Sequence, residues 1–232
     1  MIDFKGVEYL TFDCYGTLID WEKGITASLH PIFQRHDCAM PDAEILERYA
    51  AFEAAIESGP YVNYRTVLER VVDRFGELLG FAPTVEDKGA FSSSVGKWPA
   101  FPDSREALAR LADRFRLVVL SNVDDDLFSA SDELLGSPFH AVFTAQQIGS
   151  YKPDLRNFRF AIERLGGESD RIVHVAQSLF HDIAPARRLG LRTVWINRRH
   201  GLDGNGATPQ SSSRPDVELT SLDELVRSID DW

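Results

Sequence analysis

Four short apolar runs, each closed by a polar residue and followed by a stretch of helical period, stand out along the chain: Val7 to Asp13, Leu117 to Ser121, Ile172 to Ala176 and Thr193 to Ile196. Short runs without alternation belong to strands buried on both faces, and strands that alternate with helices build a parallel sheet. The pattern predicts an α/β fold, a doubly wound Rossmann-like parallel sheet. Such sheets bind ligands beyond the carboxyl ends of their strands. Asp13, Ser121, Gln177 and Asn197 stand at or just past those ends, so four polar positions converge on one crevice.

The stretch 18–98 carries no comparable strand and a clear helical period: Ile25, Leu29 and Phe33, then Ile45, Leu46, Tyr49 and Phe52, then Val67, Leu68, Val71, Val72 and Phe75. Pro41-Asp42, Gly59-Pro60 and Gly80-Phe81-Ala82-Pro83 punctuate it. An inserted cap domain of three to five helices is expected at 18–98, over a catalytic core made of 1–17 and 99–232. After Asn197 a loop rich in Gly and Ser runs to Arg214-Pro215, followed by a short strand, Val217 to Leu219, and a helix, Leu222 to Ile229.

At 232 residues the chain suits one core with a modest insertion. Its formal net charge of −11 argues against nucleic acid and membrane surfaces as partners, since these are met by concentrated Lys and Arg. A small carboxylate substrate needs only one or two well-placed cations and stays open. Cys14 and Cys38 give neither a disulfide framework nor zinc spacing. Together with a start, Met1 to Lys5, that lacks the pattern of a signal peptide, and with no apolar run of membrane-spanning length, they lead to the expectation of a cytoplasmic enzyme. A homodimer seam on the cap is compatible with the pattern.

The candidate chemistry lies at the strand ends. Phe12-Asp13-Cys14-Tyr15-Gly16-Thr17-Leu18 places a carboxylate before a glycine turn, and Leu120-Ser121-Asn122 places a hydroxyl and an amide. Ser150-Tyr151-Lys152-Pro153 places a lysine before a helix, and Ala176-Gln177-Ser178-Leu179-Phe180-His181-Asp182 follows the third long apolar run. In this order the four segments resemble the motifs of the haloacid dehalogenase superfamily. With Tyr15 two places after Asp13, the set is similar to the type II 2-haloacid dehalogenase branch. Phe12 to Glu22, Trp98 to Asp103, Gly149 to Pro153 and Trp195 to Gly201 further resemble the branch's azetidine-2-carboxylate hydrolases.

Position 15 can be argued without the family. An alkoxide leaving a phosphoester needs a proton, and a tyrosine with a pKa of about 10 is a poor donor at neutral pH. A halide, or an azetidinium nitrogen that is already protonated, leaves without one. The resemblance implies magnesium in phosphatases of the superfamily, held partly by an acid at the position of Gln177, and an amide is a weak substitute. No metal and no cofactor are expected.

The resemblance further implies that Asp13 attacks the carbon bearing the leaving group and forms an aspartyl ester, which water then hydrolyses. Lys152 pairs with Asp13 and Asp182; Thr17, Ser121 and Asn122 donate to the nucleophile and the substrate carboxylate. Either His181, oriented by Asp20 or Glu22, or Asp182 activates the water. Tyr15, Trp21, Tyr61, Tyr64 and Trp98 are candidate walls, with Gln177 at the substrate. Arg48 is the candidate cap arginine, with Arg65 and Arg35 as alternatives. The expected reaction is C–halide cleavage of a small 2-substituted carboxylic acid. Ring opening of azetidine-2-carboxylate, with Glu53 or Glu57 as acceptor, is the runner-up. A magnesium phosphatase and a catalytically silent binding protein are the other readings.

Overall fold

The computed structural model describes residues 3–230; Met1 and Ile2, part of the segment judged for a signal peptide, lie outside them. Six parallel strands, β1 (Tyr9–Phe12), β2 (Arg116–Ser121), β3 (Ala141–Thr144), β4 (Ile172–Ala176), β5 (Arg192–Ile196) and β6 (Val217–Leu219), form one sheet in the order β3-β2-β1-β4-β5-β6. The expected doubly wound core is therefore present. The strand order reverses between β1 and β4, where a crevice opens at the carboxyl ends.

Alternation sorts the central strands onto two faces. Leu10 and Phe12 join Val119, Val173 and Val175 in one core, whereas Tyr9 joins Val118, Leu120, Phe158 and Ile172 in the other. Strand β3 is missing from the sequence reading. Its apolar run, Ala141 to Phe143, is only three residues long and half-buried.

Residues after the β1 loop form α1 (Trp21–Arg35), α2 (Asp42–Glu57), α3 (Tyr64–Leu79) and α4 (Val85–Ser92), then a short 3-10 turn. Ile25, Leu29 and Phe33 of α1 and Val67, Leu68, Val71, Val72 and Phe75 of α3 are buried, as their period predicts. The helical segment leaves and returns through a narrow strap. Asp20 N–H donates to Pro99 O at 2.7 Å, and Phe101 N–H to Leu18 O at 3.0 Å. Asp124 ties the other side down by accepting the backbone N–H groups of Tyr64 and Arg65 at 2.9 and 3.0 Å, at the start of α3. Helices α5 (Ser104–Ala112), α6 (Asp125–Leu135), α7 (Ala145–Ile148), α8 (Leu155–Arg164), α9 (Ala184–Arg188) and α10 (Leu222–Asp230) complete the core.

Candidate active site

Asp13 follows the last residue of β1, in the crevice the strand order creates. The chain then turns sharply: Thr17, Leu18 and Ile19 N–H groups all return to Cys14 O. Gly16 makes this possible with φ +93°; a Cβ there would stand 2.9 Å from Trp21 Nε1 and 3.2 Å from Gln177 Oε1. Thr17 Oγ1 comes back to donate to Asp13 Oδ2 at 2.6 Å and accepts Gln177 N–H at 2.9 Å. Arg198 clamps the turn from below, donating to Thr17 O at 2.9 Å while pairing with Asp103 at 2.8 Å. The sequence named Arg198 only as part of a loop.

Lys152 Nζ is the electrostatic centre. It reaches Asp13 Oδ1 at 2.8 Å, Asp182 Oδ1 at 2.7 Å and Leu120 O at 2.8 Å, with a side chain 2% exposed. Burial alone would lower an ammonium, yet Asp13 and Asp182 hold Lys152 above its ordinary range. Asp182, buried as well, is pulled below the usual carboxylate range by Lys152 and His174. Burial raises Asp13, with Asp182 adding to it and Lys152 and Thr17 working against it. His174 was not foreseen, since it sits inside the apolar run of β4. It is fully buried; its Nε2 donates to Asp182 at 2.9 Å and its Nδ1 lies 2.9 Å from Thr11 Oγ1.

A cavity of about 30 Å³ lies over Asp13, lined by Tyr15, Trp21, Tyr64, Ser121 and His181 among others. Several expected residues thus meet. Tyr15 hydroxyl is 3.1 Å from Ser131 Oγ, and burial drives its pKa well above the ordinary tyrosine value. Ser121 Oγ and His181 Nε2 are buried without a hydrogen-bond partner. Asn122 is fully occupied: its Oδ1 accepts Lys152 N–H at 2.7 Å, and its Nδ2 donates to Lys152 O at 3.0 Å and Glu57 Oε2 at 3.2 Å. It positions the lysine loop. The cap adds two acids, Glu53 and Glu57, to the lining.

Other expectations need correction. Arg48 is half exposed and pairs with Glu44 on the outer face of α2. Arg65 pairs with Asp126 and Arg35 with Asp87, so none of the three arginines lines the cavity. Trp98 is buried behind Tyr15, edge-on at 5.7 Å, with its Nε1 donating to Ser94 Oγ. Gln177 turns its amide oxygen to Thr208 at 3.2 Å and lines a different cavity. Tyr61 lies outside the cavity against Tyr151. Asp20 caps α1 and Glu22 pairs with Arg199; the group beside His181 Nδ1 is Ser178 Oγ, at 3.2 Å.

The donor set does not suit magnesium. Both core carboxylates face an ammonium and Gln177 is turned away; among the described residues no cluster of three His, Cys, Asp or Glu could hold an ion.

Sheet order, the helices inserted between β1 and β2, and a buried Asp-Lys-Asp set define an α/β hydrolase. The profile of haloacid dehalogenase-like hydrolases matches residues 7–190, and the chain belongs to that family. It is 27% identical over 231 residues to (S)-2-haloacid dehalogenase 4A of Burkholderia cepacia, covering 94% of this chain and 90% of that one. It is also 27% identical over 230 residues to the (S)-2-haloacid dehalogenase of Pseudomonas sp. strain YL, covering 95% and 93%. In fold it is similar to the L-2-haloacid dehalogenase of Xanthobacter autotrophicus with chloropropionic acid covalently bound, at a TM-score of 0.78, 18% identity and coverage of 97% and 98%.

Proposed function

We propose that the protein hydrolyses small 2-substituted carboxylic acids through an ester on Asp13, displacing a halide as the names of its dehalogenase relatives describe for those proteins. The observation that carries this reading is the setting of Asp13. Lys152 holds one oxygen and Thr17 the other, while burial makes Tyr15, two residues on, too weak an acid to protonate a leaving group. An ionised carboxylate without a general acid at that position suits displacement at carbon, where a halide leaves unassisted.

In the first half-reaction an Asp13 oxygen attacks the carbon from behind the C–halogen bond, the bond's electron pair departs with the halide, and the centre inverts. Ser121 Oγ, unpartnered, receives the substrate carboxylate, against walls of Tyr15, Trp21 and Tyr64. In the second, water attacks the carbonyl carbon of Asp13. His181 is the acceptor for its proton: burial lowers its pKa to about 4, so it is neutral at pH 7 with Nε2 free, whereas Asp182 Oδ1 already serves Lys152 and His174.

A cavity of about 30 Å³ holds little more than a water. An adjoining cavity of about 420 Å³ shares Glu57, Lys152 and His181 with it, on the side from which a substrate would enter. The free thiols of Cys14 and Cys38 support a reducing cytoplasm as the working compartment. No helix among the described residues is long and apolar enough to cross a membrane.

Single turnover of 2-chloropropionate in heavy-oxygen water tests the reading. Label is expected in the Asp13 carboxylate; label in the product alone would overturn the ester.

A further inference from the structure

The cavity over Asp13 and the larger one beside it join at Glu57, Lys152 and His181, which line both. Polar atoms stand unsatisfied at that junction. His181 is 7% exposed and its Nε2 has no partner, and Glu57 Oε1 is buried without one. The inner space, about 30 Å³, leaves no room for a chain beyond the reacting carbon. Any longer substrate must therefore extend past Glu57 and His181 into the outer space of about 420 Å³.

Tyr61, from the segment between α2 and α3, lines the outer cavity together with Ser150, Arg156 and Phe180 of the core. These walls are held in place. Tyr151 hydroxyl donates to Val62 O at 2.8 Å and its ring lies 5.2 Å from that of Tyr61, which ties the segment to the core. Arg156 stands in the first turn of α8, its backbone N–H donating to Asp154 Oδ1 at 2.8 Å, and Asn157 Nδ2 beside it donates to Ser150 Oγ at 3.1 Å. Two cations, Lys152 and Arg156, belong to the lining, and Asp13, Asp182 and Leu120 O already occupy Lys152. Arg156 is exposed, and no side chain among the described residues pairs with its guanidinium. Arg35, Arg48 and Arg65 are each engaged elsewhere. Two acids share the outer lining. Asp154 is exposed and caps α8, and burial with Glu53 lifts the Glu57 pKa well above its ordinary value, against Lys152 and Asn122, which disfavours its charge. Arg156 is the cation left to meet an anionic group in the joined cavities.

We propose that Arg156 receives a second, distal carboxylate of the substrate, so that the preferred substrates are 2-halo dicarboxylic acids. This rests on the Asp13 ester reading and deepens it. The carboxylate next to the reacting carbon goes to Ser121, and the methylenes beyond that carbon run past Glu57 and His181, along the wall of Tyr61 and Phe180, to the guanidinium. An Asp13 oxygen bonds to the reacting carbon as the C–halogen bond breaks and its electron pair leaves with the halide. Water then cleaves the ester, giving the 2-hydroxy diacid, the halide and one proton. The distal carboxylate is unchanged through both steps. A guanidinium offers paired N–H donors that fit a carboxylate, and a neutral chain end of the same length has nothing to accept them.

The test uses the full chain and pairs of probes of equal chain length: 2-chlorosuccinate with 2-chlorobutyrate, 2-chloroglutarate with 2-chloropentanoate, and 2-chloroadipate with 2-chlorohexanoate. The 2-hydroxy product is followed for each, with heavy-oxygen labelling of Asp13. At one length or more the diacid is expected to exceed its monoacid in kcat/KM by roughly fivefold or more, the worth of one charge-assisted contact reduced by solvent. Arg156→Gln should abolish that preference, through KM, while changing kcat/KM for the monoacid by less than about twofold. Arg156→Lys, which keeps the charge, should retain part of it. No preference for a diacid at any length, a preference that survives Arg156→Gln, or equal loss on both members of a pair would overturn the proposal and leave the ester reading intact, provided that a monoacid labels Asp13. Labelling of Asp13 by none of the probes would remove both.

Discussion

Thr17 and Asp13 are joined by a hydrogen bond of 2.6 Å that closes the β1 loop on itself, and the same hydroxyl accepts Gln177 N–H from the end of β4. One side chain therefore fixes the nucleophile and locks two central strand ends together. A hydrogen bond to a charged group contributes about 1.5–3 kcal/mol. Thr17→Val is expected to lower kcat/KM by roughly 10- to 150-fold on that basis, and Thr17→Ser to restore most of it. Steady-state kinetics on 2-chloropropionate reads both.

Lys152 offers a larger effect. Its removal leaves Asp13 and Asp182 buried beside each other with their common countercharge gone. Breaking a buried pair from one side costs about 3–5 kcal/mol. Lys152→Met should abolish turnover and lower the urea midpoint accordingly, whereas Lys152→Met combined with Asp182→Leu should recover part of the stability and none of the activity. A double variant no more stable than the single one would show that the pair is not what the stability depends on.

The fold and much of this site were legible because their signals are local. A buried parallel strand ending in Asp needs only its own residues to be recognised, and so do Ser121, Lys152 and Asp182. His174 escaped because a polar residue inside an apolar run reads as filler until Asp182 is seen 2.9 Å away. Arg48 was misplaced because charge alone does not say which face of a helix turns inward. The buried stripe of α2 does: Ile45 and Tyr49 lead, by steps of one turn, to Glu53 and then Glu57, while Arg48 falls outside it beside Glu44.

Asp87 links the end of α1 to the start of α4. It completes a capping box with Thr84 and takes Arg35 Nη2 at 2.5 Å and His36 Nε2 at 2.9 Å. Burial opposes its charge, but His36, the Thr84 amide and Arg35 hold the carboxyl far below its ordinary value. A folded-state pKa below the unfolded one means that the contribution is fully present above the unfolded value, about 3.9, and is lost as pH falls through the depressed one. Asp87→Asn should therefore lower stability by about 1–2 kcal/mol at pH 7, with the difference from the parent shrinking in strong acid. Urea titrations at several pH values would show it; a gap that persists unchanged in acid would count against the assignment.

Gly24 and Gly89 should respond to alanine in opposite ways, although both lie in cap helices. A Cβ on Gly24 of α1 would stand 2.2 Å from Trp98 Cγ, and Trp98 cannot yield easily, pinned by Ser94 and packed edge-on to Tyr15. Overpacking of this kind costs about 1–3 kcal/mol. Gly24→Ala should lower Tm and, by pushing Trp98 against Tyr15, raise KM for 2-chloropropionate. Gly89 is exposed in α4, and a Cβ there meets nothing within 4 Å. Helix propensity and the reduced freedom of the unfolded chain then act alone, so Gly89→Ala should add about 0.4–1 kcal/mol and leave KM unchanged. If the two substitutions shifted Tm in the same direction, the close seating of α1 on Trp98 would not be the constraint at Gly24.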